Sequence, residues 1–379
     1  MQKIIIHIGP GKCGSSSIQN FFKDNQNPCS QKTAFVEINP EKIETINNNE
    51  VKETELAYFN TIINDHKNSE VLILSHEYLF QCAIAIKNIC ALSLKYVSEI
   101  ILIGYSRRQS DFIISAYSQW LYRSPERVAE VNETLIKNEI NPLYFSGVER
   151  QIIASIANDF YSARQISNGS ILEWKNSYEN VKKITAPFNV KIKAGTLPTK
   201  HSKLNLIEDF CEKAGLNLNE EVKEKSNLIA NPSFNTDLIE TINCAILEGV
   251  DVASLNITNE NLFEISDGMK KVKKTEDVFL TVLKQYTDNY YLNSNIEFCN
   301  QYAIDPSYFE STNQNSKIDV LKLVQEEEQK RISSSSTLAY YKKLSATMAE
   351  TCLYLINNQP KSDKETKPFL KNFIKKIIK

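Results

Sequence analysis

Three short apolar runs, each ending in a cluster of small, basic or acidic residues and each followed by a helical pattern, constrain this chain more than any other feature. Lys3 to Ile8 is a β-branched run interrupted only by His7, and it stops at Gly9-Pro10-Gly11-Lys12. Ser69 to Ser75 runs into His76-Glu77, and Glu99 to Tyr105 runs into Ser106-Arg107-Arg108-Gln109. Unbroken apolar strands belong to a parallel sheet covered on both faces, because alternation appears only where one face meets water. The segments between them supply the crossovers. Ile18, Phe21 and Phe22 recur at i, i+3, i+4 after Ser15-Ser16-Ser17, an apolar-rich helix follows Glu77 to about Val97, and Phe112, Ile113, Ala116, Tyr117, Trp120 and Leu121 line one side of a third. This alternation predicts an α/β fold of three layers, a doubly wound parallel sheet, and its crossovers exclude a purely antiparallel β protein.

Elsewhere the signals are weaker. An Asn- and Glu-rich stretch from about Glu41 to Asn68 reads as helical, with a loop tip at Asn47-Asn48-Asn49; Val181 to Pro187 reads as a strand, and Leu204 to Ala214 as a helix stopped by Gly215. From about Asn231 onward the chain reads as mainly helical, with Ser333 to Ser336 as a short linker or cap, and there is no internal repeat. A chain of 379 residues has room for one large domain with an extension or for two domains. With Lys+Arg 44 against Asp+Glu 46, nothing chain-wide favours nucleic acid as a partner, so any anion must be met by a local site. The opening apolar run is too short for a secretory leader, and no stretch reaches the roughly 20 apolar residues of a membrane span. Eight cysteines without a C-x-x-C pair and only four histidines suggest reduced thiols, a cytoplasmic setting and no metal site.

In an open parallel sheet, ligands bind beyond the carboxyl ends of the strands. The first strand end, Gly9 to Ser17, has the makings of a phosphate cradle: Gly11 and Gly14 let backbone N–H groups close round an anion, Lys12 adds a cation, and Ser15, Ser16 and Ser17 add hydroxyls at a helix start. A Gly-rich turn with a solvated lysine is the plainer alternative. The segment is not a Walker A loop, since Ile6 stands where glycine is needed and Cys13 where the magnesium-binding hydroxyl is needed.

Lys12-Cys13-Gly14-Ser15-Ser16 resembles the 5′-phosphosulfate loop, Lys-x-Gly-Thr-Thr or Lys-x-Gly-Thr-Ser, of sulfotransferases that use 3′-phosphoadenosine 5′-phosphosulfate (PAPS). That family also places an Arg at a strand end with Ser eight residues later to hold the 3′-phosphate, and Arg107 and Ser115 occupy those places here. Ser75-His76-Glu77 resembles the Ser-x-Glu of bacterial and carbohydrate-type members, whose Glu takes the proton from the acceptor. Glu77 is therefore the expected base, with His76 its competitor because other branches use His. Fainter likenesses follow: Leu206 to Leu216, Asn231-Pro232-Ser233, and Ser294-Asn295 with Tyr302. Cys13 departs from the commoner Thr or Ser, and the Arg-Lys-Gly loop of the cytosolic small-molecule branch is missing.

The resemblance implies a P-loop-like core binding PAPS as co-substrate through Gly11, Lys12, Cys13, Gly14, Ser15, Ser16, Ser17, Arg107 and Ser115. Glu77, Lys12 and His76 would form the catalytic set, and no metal would be needed. The implied partition is a PAPS-binding core at 1–230, a helical acceptor-side extension at 231–360 and a basic amphipathic helix at 361–379. The implied acceptor is a hydroxyl or amine, most naturally on a surface glycan. Two rival readings stand beside this one, a kinase of related architecture and a non-catalytic nucleotide-binding protein. The last 19 residues hold seven lysines against two acids, with Phe369, Leu370, Phe373, Ile374, Ile377 and Ile378 on one face. Such a helix suits either the inner face of an anionic membrane or docking on the domain.

Overall fold

The computed structural model describes residues 1–119, 121–157, 172–199, 202–223, 234, 236–247, 278–310 and 320–333. The basic segment 361–379, Asn231-Pro232-Ser233 and Ser334 to Ser336 lie outside the described residues. Five strands form one all-parallel sheet: β1 (Lys3–His7), β2 (Thr33–Glu37), β3 (Val71–Ser75), β4 (Glu99–Ser106) and β5 (Lys191–Thr196), in the order β2-β3-β1-β4-β5. Three of the four predicted strands are the three in the middle, and each is buried along nearly its whole length. Burial on both faces is what makes their sequences uniformly apolar.

Two faces of the sheet are identified by side-chain alternation along β4. Tyr105 donates to Asp209 Oδ2 at 2.7 Å on one side, while on the other a methyl group at Gly104 would come within 2.4 Å of Tyr178 Oη. The first face carries α1 (Ser15–Asp24) and α9 (Leu206–Ala214), with Phe22 and Phe210 in edge contact 5.5 Å apart. The second carries α8 (Trp174–Thr185), on which α4 (Ala83–Ser93) packs, and Tyr178 meets Phe298 near the end of α12 (Val278–Tyr302). A parallel sheet with helices on both faces is the arrangement of an α/β domain, compatible with double winding.

Several local expectations are corrected. Val181 to Pro187 is not a strand: Trp174, Tyr178, Val181 and Thr185 recur at helical spacing and are buried on α8, and the strand begins four residues after Pro187. The stretch read as helical from Glu41 is preceded by β2 and divides into α2 (Pro40–Thr45) and α3 (Glu53–Asp65). The helix expected after Glu77 begins as a 3-10 turn, Glu77–Gln81, and α4 ends at Ser93. The helix following β4, α5, runs Gln109–Tyr117. The helix before Gly215 starts at Leu206, where Asn205 accepts from the amides of Ile207 and Glu208 and Glu208 reaches back to the Asn205 amide as a capping box, and the one-turn α10 (Glu220–Lys223) follows it.

The chain divides into two compact units that interleave in sequence: Met1–Phe112, Tyr161–Pro232 and Asp288–Thr312 in the first, the rest in the second. Residues 113–160, read from the sequence as part of the α/β core, fall in the second unit, and 288–312, read as part of the extension, fall in the first. The second unit is helical where described, with α6 (Pro125–Lys137), α7 (Gly147–Ala157), α11 (Thr236–Leu247) and α13 (Val320–Ser333). Its interior is polar as well as apolar. Glu240 accepts from the amides of Gly147 and Val148 and from Tyr117 Oη, and the Glu149 carboxylate receives two N–H groups of Arg331, at 2.8 and 3.0 Å. No helix among the described residues is long and apolar enough to cross a membrane.

Candidate functional site

The sheet order sets β3, β1 and β4 side by side, and the register aligns His7 with Ser75 on one neighbour and Ile103 on the other. The three carboxyl ends singled out from the sequence therefore open at one edge of the sheet. The loop after β1 is drawn into a tight arc by bonds to the Pro10 carbonyl, from the Cys13 amide at 3.3 Å and from Ser15 Oγ at 3.1 Å. Lys12 (φ 68°) and Gly14 (φ 87°) both adopt the left-handed conformation. Gly14 is doubly required, because a methyl there would also meet Leu206 at 2.4 Å and Leu197 at 3.0 Å. Helix α1 begins at Ser15 with no side-chain cap on its first turn, and Ser16 and Ser17 are half-buried. Ser15 and Cys13, by contrast, point into the protein and are buried, and burial pushes the Cys13 thiol far up, so it is a neutral packing group.

Glu77 comes to this loop from the end of β3. Its carboxylate lies over Gly11, 3.4 Å from where a Cβ would stand, an ordinary van der Waals contact. His76 is engaged elsewhere, since its Nδ1 accepts the Tyr78 amide at 3.0 Å and caps the turn that follows. Arg107 comes from β4 and donates through Nη1 to the Lys12 carbonyl at 3.3 Å, while its own carbonyl accepts Trp174 Nε1 at 2.8 Å. Lys12 feels both partners. Burial lowers its ammonium to about 8, with Glu77 acting to raise it and Arg107 to lower it. Lys12, Glu77 and Arg107, from three separate strands, thus form one electrostatically coupled group. Ser115 is half-buried on α5, two turns beyond Arg107 and past Ile113, where the chain enters the second unit.

Three further residues of the first unit bear on the site and were not signalled by any motif. Tyr308, in a turn after α12, accepts Arg108 Nε at its carbonyl at 2.7 Å, and its ring lies 5.8 Å from the Arg108 guanidinium carbon. Burial pushes its phenol well up, in an environment shared with Cys13, Arg107 and Asp111, so it is a permanent donor. Asp288, on α12, accepts both the amide (3.0 Å) and the hydroxyl (2.8 Å) of Ser110 at the start of α5. His7, the last residue of β1, is fully buried beneath the loop.

Two cations, a carboxylate and the free start of a helix, gathered at the carboxyl edge of a parallel sheet, fit a phosphate-bearing ligand and a proton acceptor beside it. Among the described residues, no group of three or more His, Cys, Asp or Glu side chains is gathered as a metal centre requires. Comparison of the chain with family models, with curated proteins and with solved structures finds no match.

Proposed function

We propose that this protein is a sulfotransferase with a P-loop-like core, moving a sulfuryl group from PAPS to an acceptor hydroxyl or amine, with a glycan as the acceptor class. The observation that carries the proposal is the convergence of Lys12, Glu77 and Arg107 from three adjacent strand ends, the same residues the sequence resemblance selects. In this reading the Lys12 ammonium and the amides at the start of α1 bind the 5′-phosphate and offset charge that grows on the leaving oxygen. Arg107, one of whose five donors is already committed to the Lys12 carbonyl, presents the rest of its fork to the 3′-phosphate, with Ser115 assigned beside it by resemblance. Glu77 removes the acceptor proton. Its position over Gly11 supports that role, and the engagement of His76 Nδ1 with the Tyr78 amide weighs against His76. Catalysis is then mostly positioning and electrostatics, as in phosphoryl transfer. The setting that accompanies this reading is cytoplasmic, at the inner face of a membrane where a bacterial glycan is assembled.

Thermal unfolding with adenosine 3′,5′-bisphosphate tests this directly. A ligand at 100 times its Kd stabilises the native state by about 2.7 kcal/mol, which raises Tm by several degrees. We expect that rise without added metal, its loss in Arg107→Ala, and little change with ATP plus magnesium. A rise with ATP and magnesium alone would overturn the proposal in favour of phosphoryl transfer.

A further inference from the structure

His7 is a histidine in a strand of isoleucines, and every atom of its ring is buried. Nδ1 lies 2.8 Å from Ser75 Oγ, and Ser75 Oγ also receives Gln19 Nε2 at 3.3 Å from α1. Gln19 is the donor in that pair, so the hydrogen of the Ser75 hydroxyl is left to point at Nδ1, its one remaining partner among the described residues. Nδ1 is then the acceptor and Nε2 carries the proton. Burial lowers the imidazole to about 3, which keeps it neutral, with one donor and one acceptor. That donor, Nε2, has no hydrogen-bond partner.

Its surroundings identify where it is aimed. A methyl group built on Gly9 would stand 3.1 Å from His7 Nε2 and 2.3 Å from Ser15 Oγ, so the two polar atoms flank the same small space under the loop. Ser15 already donates to the Pro10 carbonyl and retains its lone pairs. Ser15 is also the first residue of α1, whose opening amides an anion would draw on. We infer that His7 is a positioning residue of the anion loop, its Nε2–H being the donor that closes on Ser15 Oγ when an anion occupies residues 9–17; this rests on the reading of that loop as the anion's seat. Closure completes a one-way relay: Gln19 donates to Ser75, Ser75 to His7, His7 to Ser15, and Ser15 to the Pro10 carbonyl. Each donor polarises the next, so the chain stiffens the arc that holds Lys12. A buried donor left unpaired in the free loop and paired in the filled one also adds to the preference for the filled state.

Nitrogen-15 NMR of the His7 ring in the intact protein, with and without adenosine 3′,5′-bisphosphate, tests the relay. The expected result is the Nε2–H tautomer in both states, with solvent exchange of that proton slowed at least tenfold by the ligand. An Nδ1–H tautomer, or exchange unaffected by bound ligand, overturns it. Binding to His7→Phe, Ser15→Ala and the double variant gives a second reading: each single change is expected to weaken the bisphosphate about tenfold and the pair no more than either. Additive loss, about a hundredfold, overturns the relay while leaving the nucleotide site standing. Should His7→Phe fail to fold, Ser75→Ala retains the ring and is expected to release the tautomer and weaken binding. Inorganic pyrophosphate separates the two levels. If it slows the Nε2–H while the bisphosphate does not bind, the relay holds and the nucleotide reading falls; if neither anion binds, both fall.

Discussion

Burial and the Arg107 guanidinium both work against the charge on Lys12, while the Glu77 carboxylate works for it. An ammonium at about 8 is still a cation at neutral pH but loses its proton within reach of ordinary buffers. An anion bound at the loop prefers the protonated form, so linkage requires affinity to fall as pH rises through about 8. We expect bisphosphate binding to be nearly level from pH 6.5 to 7.5 and to weaken above pH 8 by about tenfold in all before levelling off, measured by calorimetry. Lys12→Met should bind on the order of tenfold more weakly at pH 7, the worth of one charge-assisted contact, and show no such inflection. A retained inflection in the variant would assign the titration elsewhere. At this scale the sequence was informative wherever the residue type itself is the signal, as for Lys12, Glu77 and Arg107. It was silent on Tyr308, Asp288 and His7, whose importance comes from what folding sets beside them.

The start of α5 is held from across the chain. Asp288 takes two donors of Ser110, and Gln109 and Asn295 exchange amide hydrogen bonds at 2.9 Å, so α12 fixes the element that follows Arg107. Burial raises the Asp288 carboxyl to about 6 against the pull of those donors. A carboxyl raised on folding contributes stability that is whole below about pH 4 and is lost as pH rises through 6. Chemical denaturation of Asp288→Asn should lack that slope, so between pH 4 and 7 its stability relative to the unmodified protein should improve by on the order of 1–3 kcal/mol. Parallel profiles for the two would mean that Asp288 does not titrate there. Elements were legible in proportion to their burial. β1, β3 and β4 are enclosed on both faces and could be read as unbroken apolar runs, whereas β2 and β5 stand at the sheet edges with half-exposed residues and mixed sequences, so neither was found. Val181 to Pro187 misled because a short stretch carrying Val181, Ile184 and Thr185 looks alike in a buried helix and a strand.

Neither compact unit is a continuous length of chain. A fragment ending at residue 160 contains four of the five strands but leaves β4 without β5 and removes α9, whose Phe210 covers Phe22 and His7. An uncovered parallel strand and an open apolar face favour aggregation over folding. Residues 1–160 expressed alone are expected to show no cooperative urea transition; a soluble fragment with a sharp transition would mean that the first unit does not need its later segments. The sequence suggested a boundary near residue 230, and the units do part between Pro232 and Ser233; the further crossings near residues 112, 160, 287 and 312 were not legible, since local composition follows the order of the chain and not the order of contacts.

The central place of β1 bears on how the protein is made. Of the five strands it is synthesised first, yet one of its two partners ends at Ser75 and the other at Ser106, so it gains its second partner only about a hundred residues after its own synthesis. At typical elongation rates of roughly 5–20 residues per second, that interval lasts several seconds. Through it the nascent chain carries Lys3 to Ile8 with at least one edge unpaired, and the loop that contains Lys12 takes its shape only when the later strands close around it.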